Sequence, residues 1–559
     1  MRIRAILLGC LLVSGCARDA SLCSPAEPVL PLVSEKRVIA HYMTSMLYFD
    51  GGESEPTYDL RSHYRLDGPS GAIGGFNQAF PIMDFRGPGK SMDEAAEFEL
   101  RAAKTLGIDG FQFYYPLRAS EKQLKDWTRI IEAFFRVAER TGINFKLTLC
   151  LSLADAPLTE AQKIEKWGRG WKKLLAHREW DDIWLKTPDG RIITYLWSGA
   201  GFSDRVSGAP ALIENPALVA ADAEAYERLA AACGIRAAYI YHMRWWMLKN
   251  ADVVDQLLGF YPAFWSFLPM NSRFGAEWDA FADQCAVHGR AYSETICEDF
   301  YTSKLYRKEG KQFARISKLS DALELGVDGM WRRVFVSDLS GELRSSMERA
   351  MRVDSPLLSV STWNDYPEGH QICPDVNKNF SFATLLQYFS NIWKGTPERN
   401  VRDIGWVFYK KYPSNVHPSL ADFEIRHVEE VPLSKEDFIE AVVALQSPAQ
   451  VFLNGKDLGE LQAGLSIRRI PIEAGPVRLK AVRGDKVVFE FTAPQWITDH
   501  PYRTDRATVG YSSEYAALWR KIFGDKIPVS ACEYAEDEKG VPNWKRNVFL
   551  TDEVPMSGK

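Results

Sequence analysis

From Arg37 to about Thr396 one unit keeps returning along the chain: a capped amphipathic helix, a glycine that ends it, and a short apolar strand. Ser91 and Glu94 form a capping box, Ala95, Phe98 and Ala102 make a helical stripe, and Leu106-Gly107 closes it before Phe111-Gln-Phe-Tyr-Tyr115. Ser120 and Gln123 repeat the device, with Trp127, Ile130, Ile131, Phe134 and Val137 as the stripe and Thr141-Gly142 ahead of the strand Phe145–Leu151. Such a βα repeat constrains the fold to α/β with a parallel sheet, since parallel neighbours need a long crossover. Further strands are predicted at Val38–Met43, Ile192–Trp197, Ala237–Tyr241, Leu257–Tyr261, Arg290–Ile296, Gly329–Val336 and Leu357–Trp363. Together these are nine candidates for an eight-stranded (β/α)8 TIM barrel, and Gly329–Val336 is the predicted surplus. An open doubly wound sheet fits less well, because no glycine-rich phosphate loop follows the first strand.

Past Thr396 the texture changes to short strands and tight turns. Glu440–Leu445, Ala449–Leu453, Leu465–Ile472, Val477–Val482 and Lys486–Phe491 are separated by Asn454-Gly455, Ala474-Gly475 and Arg483-Gly-Asp485. Asn-Gly is a strong hairpin signal, so a C-terminal antiparallel β-sandwich is predicted, with packing against the barrel as its expected role and an independent sugar-binding module as the alternative. A chain of 559 residues is long enough to need both domains.

At the other end, Arg2 and Arg4 precede an apolar run from Ala5 to Val13, and Ser14-Gly15 supplies small residues for cleavage. This is the pattern of a secretory signal too short to span a bilayer. Val13-Ser14-Gly15-Cys16 also reads as a bacterial lipoprotein box, with lipidation expected at Cys16; Ala17 after it suits passage to the outer membrane. An ordinary cleaved signal with an incidental cysteine is the alternative. The expected organisation is signal peptide 1–15, lipidated linker 16–35, catalytic barrel 36–398, β-sandwich 399–525 and tail 526–559. Net charge is −5 with the basic residues scattered, which disfavours nucleic acid and anionic membrane surfaces as partners; membrane contact is expected only through the lipid anchor. The cysteines Cys23, Cys150, Cys233, Cys285, Cys297, Cys373 and Cys532 are too irregularly spaced for a disulfide framework or a zinc site.

Chemistry is expected where the strand Leu357–Trp363 breaks into Asn364-Asp-Tyr-Pro-Glu-Gly-His370. Asp365 and Glu368 lie just past a strand's C-terminal end, where barrel enzymes keep their active sites. Asp109 and Asp328, in the twin segments Leu106-Gly-Ile-Asp-Gly110 and Leu325-Gly-Val-Asp-Gly329, enter strands at the opposite face and read as structural. Glu294, Glu298 and Asp299 sit at or past another strand end and are candidates for sugar contact, with solvated loop acids the alternative. A carboxylate pair at a barrel mouth suits glycoside hydrolysis. Trp363, Tyr366 and His370 beside it, with Tyr114-Tyr115, Trp245-Trp246 and Tyr261 to Trp265 at other strand ends, offer the flat faces and donors that sugar rings require, although any one aromatic has core packing as its alternative. No metal or cofactor is expected: His41, His242 and His370 are isolated, and no His-x-His or His-Glu-x-x-His spacing occurs. The absence of a Gly-x-Ser-x-Gly elbow argues against a serine hydrolase of the α/β type.

Val38-Ile-Ala-His-Tyr-Met43, Gly107-Ile-Asp-Gly-Phe111, Phe300-Tyr-Thr302 and above all Thr362-Trp-Asn-Asp-Tyr-Pro-Glu368 resemble, in the same order, motifs of glycoside hydrolase family 71, the α-1,3-glucanases or mutanases. The resemblance implies an inverting hydrolase of α-1,3-glucan with Asp365 and Glu368 as general base and acid, and it brings His41 and Asn364 into the expected substrate site. Inversion needs room for water, a separation of roughly 6.5–9.5 Å, which residues three apart reach only if their loop is not helical. The chain departs from the family pattern at Pro367, Gly369 and Glu294–Asp299, all on the substrate side. Another α-glucan or α-mannan, or a non-catalytic glycan-binding lipoprotein, therefore stays open beside α-1,3-glucan.

Overall fold

The computed structural model describes residues 31–50, 81–153, 157–309, 312–315, 331–335, 338–416, 426–429, 432–501, 506–525 and 527. The expectations for the signal peptide, Cys16, Cys23, Asp328, Cys532 and the tail lie outside these residues.

The strands are β1 Arg37–Tyr42, β2 Gly110–Pro116, β3 Lys146–Ser152, β4 Ile192–Trp197, β5 Ala237–His242, β6 Ala263–Trp265, β7 Ala291–Tyr292, β8 Glu294–Ile296 and, after an excursion, β12 Leu357–Val360. All pair in parallel, in the order β7-β6-β5-β4-β3-β2-β1-β12-β8. β7 and β8 are halves of one strand bent at Ser293: the first half pairs with β6, the second with β12, and the ring closes as an eight-stranded barrel. Strand residues alternate between barrel interior and helical coat. Ile39, Cys150, Ile193, Tyr195, Ile240, Trp265 and Leu357 fill the interior above a plug of Leu32 and Val33. Phe111, Phe113, Leu147, Leu149, Leu196 and Val360 face the helices and build the main core.

One expected strand is corrected. Leu257–Tyr261 closes a helix, Ala251–Phe260, whose first turn is capped by the Asn250 side chain accepting from Val253 N at 3.1 Å. Val253, Val254, Leu257 and Leu258 are its buried stripe. Tyr261 precedes Pro262, which disfavours helix there, and the sixth strand follows. The surplus segment is, as expected, no barrel strand: β11 Trp331–Phe335 joins β9 Phe300–Glu309, β10 Gln312–Arg315 and β14 Arg426–Glu429 in a separate sheet. Asp109 is structural, accepting from Val38 N at 3.0 Å and pairing with Lys104 and Lys394.

The C-terminal strands are β13 Ile404–Lys410, β15 Phe438–Leu445, β16 Ala449–Leu453, β17 Lys456–Leu461, β18 Gly464–Pro471, β19 Arg478–Arg483, β20 Lys486–Thr492 and β21 Thr508–Ser512. They form two four-stranded antiparallel sheets, β18-β15-β13-β21 and β17-β16-β19-β20, around a core of Val407, Ile439, Val451 and Leu479. The Asn454-Gly455 turn joins β16 to β17 with both residues at positive φ. Trp406 donates its indole N–H to Thr384 Oγ1 on the barrel helix Ser381–Trp393 at 2.8 Å, and Phe408 packs on Phe382. Among the described residues no helix is long and apolar enough to cross a membrane.

Candidate active site

Beyond β12 the chain turns at once into the acidic loop, and four bonds fix its path. Thr362 Oγ1 accepts from Asp365 N at 2.9 Å, Trp363 N donates to His41 O at 2.7 Å, and Met43 N donates to Asn364 Oδ1 at 2.7 Å. The Trp363 indole, fully buried, donates to Glu99 Oε2 at 2.8 Å. Tyr366–Glu368 then makes one 3-10 turn that starts at Asp365 and closes on Gly369 at φ 73°.

That turn brings the expected pair close together. Asp365, Glu368 and His370 each place one ligand atom within 4.8 Å of the others. The helical turn folds the two carboxylates toward one another.

His370 is the hub of this cluster. Its Nδ1–H donates to Ser361 O at 3.0 Å, while Nε2 lies 3.1 Å from Glu368 Oε2 and 3.8 Å from Asp365 Oδ2. The ring is buried, stacked on Phe300 and edge-on to Phe267. Burial pulls its pKa down, but the bond to Glu368 and the charges of Asp365 and Glu368 outweigh that and leave it above the ordinary 6.5. His370 thus holds a proton more firmly than a free imidazole and can share it with Glu368, whose side chain is about twice as exposed as that of Asp365 (24% against 11%). The same three groups could take a divalent cation, a convergence the sequence reading did not anticipate because it treated the histidines as isolated.

Beneath the loop sits the buried Lys378. Its ammonium donates to Gly369 O at 2.9 Å, to Gln371 O at 3.0 Å and to Glu298 Oε1 at 3.1 Å. Burial, partly offset by Lys378, pushes the Glu298 carboxyl up to about 7. Next to it Asp299 accepts from Phe300 N at 2.9 Å and reaches into the sandwich, to Thr508 Oγ1 and to Lys410 Nζ at 3.5 Å. Glu298 and Asp299 thus brace the loop from below, and neither is exposed for sugar contact.

The barrel mouth collects an aromatic wall. His41 meets Tyr114 at 5.7 Å and Phe267 at 5.4 Å between ring centres; Phe267 in turn meets Trp197 at 5.9 Å and His370 at 5.4 Å. Trp197 stacks on His242. Burial lowers the His41 pKa to about 3, so this histidine is neutral. Of the expected substrate residues, His41, Tyr114 and His370 come together here.

The others do not. Tyr115 points outward into the helical coat, its hydroxyl 2.8 Å from Thr128 Oγ1. Glu294, also outward-facing, is buried against Arg349 at 3.0 Å. Trp363 and Tyr366 are in the core, and Asn364 is spent on the Met43 backbone. Trp245 stacks on Phe274 at 4.7 Å, and its neighbour Trp246 lines a separate cavity. Trp197, His242, Arg244 and Phe267 were missed. Strand parity could have found the first two, since each is the last inward-facing residue of its strand.

No protein-family model matches the chain. No curated protein matches it either. Among solved structures it resembles a GH99 endo-alpha-mannosidase from Bacteroides thetaiotaomicron at 11% identity and TM-score 0.42, covering 65% of this chain and 98% of that one. A glycoside hydrolase-like protein matches at 14% identity and TM-score 0.37, over 66% and 97% of the two chains. A glycosyl hydrolase family 2 member from Bacteroides cellulosilyticus DSM 14838 matches at 13% identity and TM-score 0.36, over 72% and 44%. Similarity at this level assigns no activity to the chain.

Proposed function

We propose that this chain is a glycoside hydrolase of α-linked glycan, with Asp365 and Glu368 as its working carboxylates. The observation that carries the reading is the convergence of Asp365, Glu368 and His370 at the mouth of a parallel barrel, beside an aromatic wall. α-1,3-Glucan is the first substrate to test, on the strength of the Thr362–Glu368 motif, with other α-glucans and α-mannan next. Oxygens within 4.8 Å suit the closer carboxylate pair of retaining enzymes, roughly 5–5.5 Å, better than the inverting gap.

In this mechanism Glu368 gives the proton it shares with His370 to the leaving oxygen as the glycosidic bond breaks, and Asp365 bonds to the anomeric carbon. Water then attacks that carbon, Glu368 takes the water's proton, and the Asp365 ester is released. Proton NMR of the first product from each α-linked glycan tests the scheme: an initial α anomer is expected. An initial β anomer would restore inversion and remove Asp365 as nucleophile. Persistent binding without product on every glycan would make the chain a binding lipoprotein. Lipid attachment at Cys16 and an outer-membrane location belong to the same proposal, and metabolic acyl labelling lost in Cys16→Ser checks them.

A further inference from the structure

A cavity of about 900 Å³ opens at the C-terminal ends of β4 and β5, lined by Trp197 and Ser198 at and after β4 and by His242, Arg244, Trp246 and Met247 at and after β5. Phe267 links its wall to the acidic loop, meeting Trp197 at 5.9 Å and His370 at 5.4 Å between ring centres.

Its charges are nearly all committed. Lys163 is buried and donates to Gly201 O at 2.7 Å and Phe202 O at 2.9 Å. Asp204 accepts from Glu160 N at 2.6 Å, and Asp222 accepts from Gly201 N and Ser203 N at 2.9 and 2.8 Å, shaping the loop after β4. His242 is held neutral, first by burial and then by the charge of Arg244. Arg244 is the exception. Its guanidinium donates to Ser198 Oγ and lies 5.9 Å from the Trp246 ring centre, and among the described residues no carboxylate stands within ion-pair distance of it.

A half-buried guanidinium without a counter-charge is held at a cost unless a ligand supplies the anion. Its planar fork matches the paired oxygens of a carboxylate or sulfate. Trp246 beside it, and Trp197 in the same wall, supply aromatic surface of the kind on which a pyranose ring packs. We infer that this cavity is a subsite for a sugar bearing an anionic oxyacid group, a uronic carboxylate or an ester sulfate, bound through Arg244. The sugar rests on the glycosidase reading; the anion rests on Arg244 alone.

Calorimetric titration of the intact protein with glucose, glucuronic acid, glucose 6-sulfate and inorganic sulfate tests it. One of the anionic sugars should bind at least about tenfold tighter than glucose, a charge-assisted bidentate bond being enough for that. Arg244→Met should bring the two affinities within about twofold, and Arg244→Lys, which keeps the charge but not the fork, should keep part of the preference. Preference for the uronate or for the sulfate ester names the source of the anion. The inference is overturned if neither anionic sugar binds tighter than glucose, if Arg244→Met keeps the preference, or if inorganic sulfate binds as tightly as the best sugar. Hydrolysis of neutral glycan without any anionic preference removes the subsite and leaves the glycosidase; anionic preference without hydrolysis of any glycan does the reverse.

Discussion

Replacing Lys378 with methionine removes the ammonium that holds the acidic loop from below while keeping most of the side chain's apolar volume. Two backbone carbonyls on the loop, Gly369 O and Gln371 O, lose a donor at 2.9 and 3.0 Å, and Glu298 loses its counter-ion at 3.1 Å. Breaking a buried pair by removing one partner costs about 3–5 kcal/mol, chiefly because a buried charge is left uncompensated. Glu298 has an escape, since burial already pushes its carboxyl up to about 7. Without Lys378 it protonates, so the loss should be full at pH 8 and smaller at pH 5. Each kcal/mol lowers Tm by about 2–4 °C in a chain of a few hundred residues, so a fall on the order of 10 °C at pH 8 is expected. Turnover should fall further than stability, because Glu368 and His370 sit on the freed segment. Glu298→Gln added to Lys378→Met should recover part of the Tm at pH 8 and little of the turnover. Differential scanning calorimetry at the two pH values and initial rates on the best glycan supply the readouts. A Tm change under about 2 °C at pH 8, or a loss equal at both pH values, would refute the assignment of Lys378 as the counter-ion that sets the loop.

Asp365→Asn and Glu368→Gln should each lower kcat by at least about a hundredfold with Tm nearly unchanged; activity retained in either variant removes that residue from the chemistry. The pH dependence follows from His370, whose folded pKa is raised above 6.5. Its contribution to stability is complete below about 6.5 and is lost as pH rises through the folded value, so the wild-type Tm should decline on the alkaline side and His370→Gln should flatten that decline. Chelation should leave turnover unchanged, because His370 Nε2 is engaged by Glu368 as a proton-sharing pair; loss with EDTA and recovery with one divalent metal would make the cluster a metal site. Tyr115→Phe should cost about 1 kcal/mol through its bond to Thr128 and leave kcat alone, whereas Tyr114→Ala should raise KM.

The parts of the fold written into the sequence were those with short-range causes. Ser120 caps its helix through Gln123 as the four-residue pattern predicts, and Asn454-Gly455 turns a hairpin because both positions take positive φ. The expected strand over Leu257–Tyr261 failed for an equally local reason: four apolar residues at helical spacing behind an Asn250 cap outweigh the look of a short apolar run. Within barrel strands, parity would have sorted the site correctly, separating Tyr114 from Tyr115 and excluding Glu294. It stops working where the strand stops. Trp363 lies past the end of β12, and its burial is decided by Glu99. Tyr366 and Asn364 are likewise taken up by partners that no spacing reveals.

The same limit applies to the acidic loop. Pro367 disfavours helix only for the residue before it, and the turn it opens is closed by Gly369 and stapled by Lys378. Lys378 is in turn set by the loop it belongs to, where Asn377 O accepts from Gly510 N at 3.0 Å and Asn379 Nδ2 donates to Gly510 O at 3.1 Å, both across to β21. Gln495, also from the C-terminal domain, donates to Val376 O at 2.8 Å. On the other flank Lys410 and Thr508 grip Asp299, whose neighbour Phe300 stacks on His370. The sandwich therefore holds both flanks of the acidic loop. Its packing role, which composition alone suggested, becomes a positional one: the distance between Asp365 and Glu368 depends on residues from Lys410 to Gly510 as much as on the three positions that separate the pair.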